Sequence, residues 1–232
     1  MGTKETKKCL ADGIQKAKEI EPGDLEKINQ YTRREMKEDE LYIFRAVVCD
    51  NEIDRDYERF SDAALREIAQ NLVGKTIIMD HSPSAENQIA RVYDATVENT
   101  GDATSQGDPY RRVVMSCYMP VTTENEAERA AIDAGIRKEV SIGCAVTKKV
   151  CSICGANKNG RNCNHRAGQS YKGRVCYDVL DGVIDVYEVS FVAIPAQPAA
   201  GVTKSKGKSS SAKEAKKQLE LERWKIRLLS KF

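Results

Sequence analysis

The chain has 232 residues, 41% hydrophobic and 31% charged, with a formal net charge of +2. That length buries one good core with extensions left over, and the near-balanced charge argues against a surface built throughout for nucleic acid. No apolar run reaches the ~18–20 residues that cross a membrane, and the N-terminal MGTKETKKCLADGIQKAKE lacks the apolar core of a signal peptide. A reducing cytoplasm is the expected compartment.

Residues 1–39 read as a charged helical extension. Sparse apolar residues recur at helical spacing, first Leu10, Ile14 and Ala17, then Leu25, Ile28 and Tyr31. Pro22-Gly23-Asp24 divides the two runs, with Asp24 placed to cap the second. From residue 40 the period shortens. LYIFRAVVC (41–49), TIIMDH (76–81), IARVYDATVE (89–98), RRVVMSCYM (111–119), EVSIGCAV (139–146) and VIDVYEVSFVAI (183–194) are rich in Val, Ile and Tyr, as strands are.

Two helices interrupt these strands. One runs from Ser61 to Leu72, and the other from Glu124 to Arg137 with Ala127, Ala130, Ala131 and Ile132 inward. NTGDATSQGDPY (99–110) carries turn chemistry. Short strands with two helices and no βαβ alternation predict an α+β domain over 40–200, built on a mostly antiparallel β-barrel with flanking helices. Residues 201–212 read as a flexible Lys/Ser/Gly linker. In 213–232, Leu221, Trp224, Leu228 and Phe232 fall at steps of three and four, one apolar stripe on a basic helix. Such a helix packs on its own domain or on a partner, and the linker before it favours a partner. There is no internal repeat.

Of the eight cysteines, Cys9, Cys49, Cys117 and Cys144 are scattered and, in strand-like surroundings, read as small core residues. The others cluster. Cys151-x2-Cys154-x8-Cys163-x-His165 offers three thiolates and an imidazole within a short loop, a donor set suited to tetrahedral zinc. Cys176 competes as the fourth ligand if His165 points away. Four protein donors leave no open position for water or substrate, so the expected zinc is structural, pinning an insertion over about 151–176. Lys148, Lys149, Lys158, Arg161 and Arg166 surround it, but Tyr171 is the nearest ring able to stack on a base, which disfavours a nucleic-acid knuckle.

His81, the second histidine, stands where an apolar strand meets a Ser/Pro loop. Alternation in EVSIGCAV puts Val140, Ile142, Cys144 and Val146 on one face and Ser141, Gly143 and Ala145 on the other. That second face has no bulk, which leaves room beside Ser141 for another side chain and a substrate. A serine hydroxyl is a weak nucleophile until a base, commonly histidine, takes its proton. Asp80 adjoins His81 but projects to the opposite strand face. In VIDVYEVSFVAI, Tyr187, Val189, Phe191 and Ala193 form an apolar face while Glu188 and Ser190 share the other. A carboxylate in such a strand is costly unless paired, whether for structure or for function.

MDHS around His81, EVSIG around Ser141 and YEVSFVAIPAQPAA at 187–200 occur in an order that resembles the prohead maturation serine proteases of tailed bacteriophages, relatives of the herpesvirus assemblin proteases. The resemblance spans roughly residues 40–200 and rests most on E-V-S-x-V-x-x-P-A-x-P-A. The Cys151–His165 knuckle looks like an insertion found in some members. The resemblance implies a barrel-centred α+β fold with Ser141 as nucleophile, His81 as general base and Glu188 as the third member, Asp185 in reserve. It implies cleavage of scaffold and capsid-protein segments inside the immature head, in the bacterial host cytoplasm, with self-association and self-cleavage at 203–212. The 213–232 helix would dock on scaffold or capsid subunits. A protease-like fold that no longer cuts, acting as a head-assembly scaffold or zinc-stabilised interaction module, is the alternative.

Overall fold

The computed structural model describes residues 20–160 and 163–203; the expected C-terminal helix, Cys9 and the first of the two N-terminal runs lie outside them. The fold is α+β, with a mixed sheet of eight strands at its centre. In chain order the elements are α1 (Asp24–Asn29), β1 (Leu41–Asp50), β2 (Glu58–Phe60), α2 (Asp62–Leu72), β3 (Thr76–Met79), β4 (Ala90–Ala103), β5 (Pro109–Pro120) and α3 (Glu126–Asp133). Then come β6 (Val140–Cys151), β7 (Ser170–Tyr171), β8 (Arg174–Val175), β9 (Asp178–Phe191) and β10 (Gly201–Val202).

Strands β10, β1, β5, β4 and β3 pair antiparallel in that order, and β3 then joins β9 in parallel. β6 lies antiparallel along one edge of β9 for the whole of that strand. β2 shares the other edge with β3, again in parallel. β7 and β8 form a separate small hairpin.

The expected barrel does not form. Its closing seam would lie between β10 and β6, where a single bridge, Glu139 to Gly201, stands in place of a ladder. β10 is only two residues long, and no ladder continues beyond that bridge. Gly201 is needed at this crossing, because a Cβ there would stand 2.9 Å from the Lys138 carbonyl oxygen.

The main core lies under α2. Its Ser61 cap accepts a hydrogen bond from Ala64 N–H at 3.0 Å, and Ala64, Leu65, Ile68 and Leu72 are fully buried. They meet Phe44, Ala46 and Val48 of β1, Met115 and Cys117 of β5, and Val186, Val189 and Phe191 of β9. β1 is buried on both faces, since Leu41 and Ile43 join Tyr93, Tyr118 and Ile28 in a second cluster. The helix carrying Ile28 therefore covers the sheet rather than extending from it, and Gly23, not Asp24, occupies its N-cap position. α3 is shorter than expected and leaves Ala127 and Ala130 exposed, with Ile132 as its buried anchor.

Cys49, Cys117 and Cys144 sit in or against the main core, and burial pushes their thiols up, Cys144 to about 11. They are packing residues. Among the described residues no helix is long and apolar enough to cross a membrane. Ile68→Ala should lower unfolding free energy by about 2–5 kcal/mol, the cost of a cavity under α2, measured by chemical denaturation.

Candidate functional site

The alternation expected of β6 holds over its first half. Val140, Ile142, Cys144 and Val146 pack on the core, leaving Ser141 and Gly143 on the opposite face. β9 departs from strict alternation because it carries two bulges against β6. Gly143 pairs with Glu188 but Cys144 with Val186, and Ala145 pairs with Asp185 but Val146 with Val183. Tyr187 and Ile184 are the extra residues, and they are 60% and 65% exposed. Tyr187 thus leaves the apolar face expected for it, and Val183, Val186, Val189 and Phe191 form that face instead.

The bulge at Tyr187 keeps Glu188 and Ser190 on the face of Ser141. Ser141 pairs directly with Ser190, and Gly143 with Glu188. On the other side of β9, Ile78 of β3 also pairs with Ser190. β3 then ends at Met79, earlier than expected, and Asp80 and His81 form a turn closed by Ser82 N–H to the Met79 carbonyl at 3.0 Å.

Both turn residues have positive φ, 51° and 53°, a conformation that costs non-glycine residues energy unless neighbours hold it. β9 supplies the hold: Asp80 N–H donates to the Phe191 carbonyl at 3.0 Å, and His81 N–H donates to Ser190 Oγ at 2.9 Å.

This turn brings the imidazole to the carboxylate. His81 Nδ1 lies 2.6 Å from Glu188 Oε1, and Ser190 Oγ donates to Glu188 Oε2 at 2.6 Å. Glu188 therefore has a partner on each oxygen, with its side chain 13% exposed against 44% for His81. With Glu188 ionised and the imidazole neutral, the short contact places the ring proton on Nδ1 and leaves the Nε2 lone pair free. Gly143 makes the arrangement possible. A Cβ at that position would stand 2.5 Å from Glu188 Oε1.

Ser141 joins this face by strand register. It also lines a cleft of about 310 Å³ that opens between β6 and Val48 of β1, beside Phe60 and Gln197; neither His81 nor Glu188 lines that cleft. Asp185, the reserve third member, is engaged by Lys75 at 2.8 Å, which holds its carboxyl below the usual range. Ser190 escapes a reading of the sequence as a functional residue. The only signal for it there is that it shares a strand face with Glu188.

The cysteine loop leaves the far end of the same two strands. Cys151, Cys154, Cys163 and His165 bring their donor atoms within 4.8 Å of one another, close enough to hold one metal ion. Cys154 Sγ lies 3.5 Å from Cys163 Sγ, which lies 3.5 Å from His165 Nδ1. Cys176 is fully buried, with its sulfur 3.8 Å from Cys151 Sγ. Burial pushes the Cys151 thiol up, but the Cys154 and Ile153 N–H groups and the neighbouring thiols outweigh it and bring it down to about 6.

The loop is tied back to the sheet by Lys158, whose ammonium lies 2.6 Å from the buried Asp178 carboxylate. The His165 ring meets Tyr171 edge-on at 4.5 Å. Tyr171 Oη also accepts from Arg166 N–H at 2.9 Å, so this ring is engaged inside the loop.

No family model, curated protein or solved structure matches the chain.

Gly143→Ala should force the Glu188 carboxylate off His81, at a cost of about 1–3 kcal/mol in stability. The imidazole nitrogen chemical shifts of His81 should move with it. Unchanged shifts would mean that the pair does not depend on the bare backbone at Gly143.

Proposed function

We propose that the chain is a serine endopeptidase in which Ser141 is the nucleophile, His81 the general base and Glu188 the residue that orients the base. The observation carrying this reading is the 2.6 Å contact between His81 Nδ1 and Glu188 Oε1, set on the same sheet face as Ser141. In the proposed reaction His81 Nε2 takes the Ser141 hydroxyl proton as Oγ attacks a peptide carbonyl. The proton then passes to the leaving amine, and water enters by the same base to release the acyl group. Glu188 stays ionised throughout and stabilises the transient imidazolium. Ser190 holds the carboxylate and the His81 backbone at once.

The ordered MDHS, EVSIG and YEVSFVAIPAQPAA motifs support a narrower setting, maturation of a phage prohead. The substrates would be scaffold or capsid-protein segments and the chain's own 203–212 stretch, cut inside the assembling head in the host cytoplasm, with self-association of the chain. A second reading, a head-assembly module that does not cut, draws on the cleft beside Ser141, which is lined by neither His81 nor Glu188.

We infer further that the metal held by Cys151, Cys154, Cys163 and His165 is zinc and structural. Thiolate ligands at ~2.3 Å and tetrahedral angles lie roughly 3.8 Å apart, close to the 3.5 Å between the Cys154 and Cys163 sulfurs. Three thiolates and an imidazole complete the coordination, which gives the ion the work of ordering a polar loop rather than activating water.

Ser141→Ala and His81→Ala should each abolish processing of a co-expressed capsid or scaffold protein. Glu188→Gln should lower the cleavage rate by roughly 10⁴-fold, as loss of the orienting carboxylate does in serine–histidine–carboxylate sites. Processing that persists in Ser141→Ala would sink the endopeptidase reading. Elemental analysis should find one zinc per chain, reduced in Cys154→Ser. Chelation should open residues 151–176 to limited proteolysis.

A further inference from the structure

The described chain ends beside a groove that no described residue fills. Val202 N–H donates to the Lys138 carbonyl at 2.7 Å, and Gly201 bridges Glu139. Thr203 therefore emerges next to the 136–139 segment. Between that segment and the ends of β3 and β9 lies a groove of about 160 Å³, lined by Met79, Asp80, Ile136, Glu139, Phe191 and Ala193. One isoleucine of its lining stands almost uncovered, and a second follows the lining residue Ala193 in the chain. Ile136 is 78% exposed, and Ile194, next to Ala193, is 77% exposed. Large apolar side chains gathered around a concavity mark a docking surface.

The sequence beyond Thr203 fits this surface. Residues 204–232 contain ten Lys and Arg against three Glu, and carry the Leu221, Trp224, Leu228 and Phe232 stripe. Asp80 and Glu139 are among its lining residues, while Arg137 at its wall is already paired with Glu128 at 3.3 Å. Seventeen residues separate Thr203 from Leu221. A chain of that length spans about 23 Å at coil dimensions and up to ~55 Å when extended, which is ample for a groove that begins beside its attachment point. A tether that short also gives an effective concentration in the ~mM range, so the tail of the same molecule outcompetes other occupants of modest affinity.

We propose that the stripe around Trp224 docks in cis on the groove lined by Ile136 and Ala193 and on the exposed Ile194 that follows it in the chain. Docking of the tail does not depend on the endopeptidase reading.

Trp224 is the only tryptophan, so its fluorescence reports on the seat directly. In the full-length, metal-loaded chain its emission should be blue-shifted, and acrylamide should quench it severalfold more slowly than in a synthetic peptide of residues 213–232. Neither property should change on dilution. Ile136→Asp and Ile194→Asp, at positions too exposed to matter to the core, should each return quenching toward the rate of the peptide. Quenching of the full chain at the peptide's rate would overturn the proposal. Shielding that survives both substitutions would place the tail elsewhere, and shielding that grows with protein concentration would assign the groove to a second copy. Either result also overturns docking in cis.

Discussion

The antiparallel ladder between β6 and β9 is the constraint on which the His81–Glu188 site and the cysteine cluster both depend. At one end it sets Ser141 against Ser190 and Gly143 against Glu188, and at the other it sets Cys151 against Asp178. A shift of one residue would turn Ser141 into the core and bring Val140 out. The register is held by the buried faces of the two strands, where Val140, Val186, Val189 and Phe191 lie in one cluster under α2. The polar constellation is thus positioned by an apolar one on the reverse side of the same strands.

Burying most of a carboxylate on such a strand costs several kcal/mol when it stands alone. Glu188 is not alone. His81 and Ser190 each approach one of its oxygens at 2.6 Å, and Ser190 also accepts from the His81 backbone. The left-handed backbone at Asp80 and His81 carries its own cost, offset by the two bonds that β9 offers that turn. These costs are mutual: the carboxylate needs the imidazole, and the turn that presents the imidazole needs the serine beside the carboxylate. A surface that merely packed well would have no reason for Gly143, whose missing side chain leaves the space in which the Glu188 carboxylate sits.

Much of this was legible in the sequence where local rules decide. The strand cores, the Ser61 cap and the cysteine spacing all come from short-range chemistry, and the faces of β6 come from alternation. The failures lie where distant residues decide. Closure of the sheet depends on the two residues of β10, far along the chain from β6. Tyr187 reads as apolar core by period two, yet the bulges at Ile184 and Tyr187 stretch the buried pattern to Val183, Val186 and Val189. A bulge is set by the partner strand, so no window of β9 alone reveals it. Ile28 reads as part of a detached helix because its cover, Tyr93 and Tyr118, comes from β4 and β5. Ser190 looks like any strand serine until the turn after β3 is laid beside it.

The separation of the two centres along β6 decides how the metal can matter. Ten residues lie from Ser141 to Cys151 on one strand, roughly 30 Å at ~3.3 Å per residue. Across that distance a bound ion can neither polarise a carbonyl at Ser141 nor activate a water for it. Its influence must pass through the strand as shape. Cys151 ends β6 and Cys176 lies just before β9, and Lys158 reaches from the loop to Asp178 at the start of β9. An ion holding Cys151 to the rest of the loop would therefore reach β9 through the loop's own tie from Lys158 to Asp178, at the end where β6 has no other neighbouring strand among the described residues. Without the ion that end keeps its ladder, the ion pairs of Lys148 with Asp181 and of Lys149 and Lys158 with Asp178, and the hydrogen bonds between Ser152 and Tyr177, and it is this register that sets Ser141 on the Glu188 face.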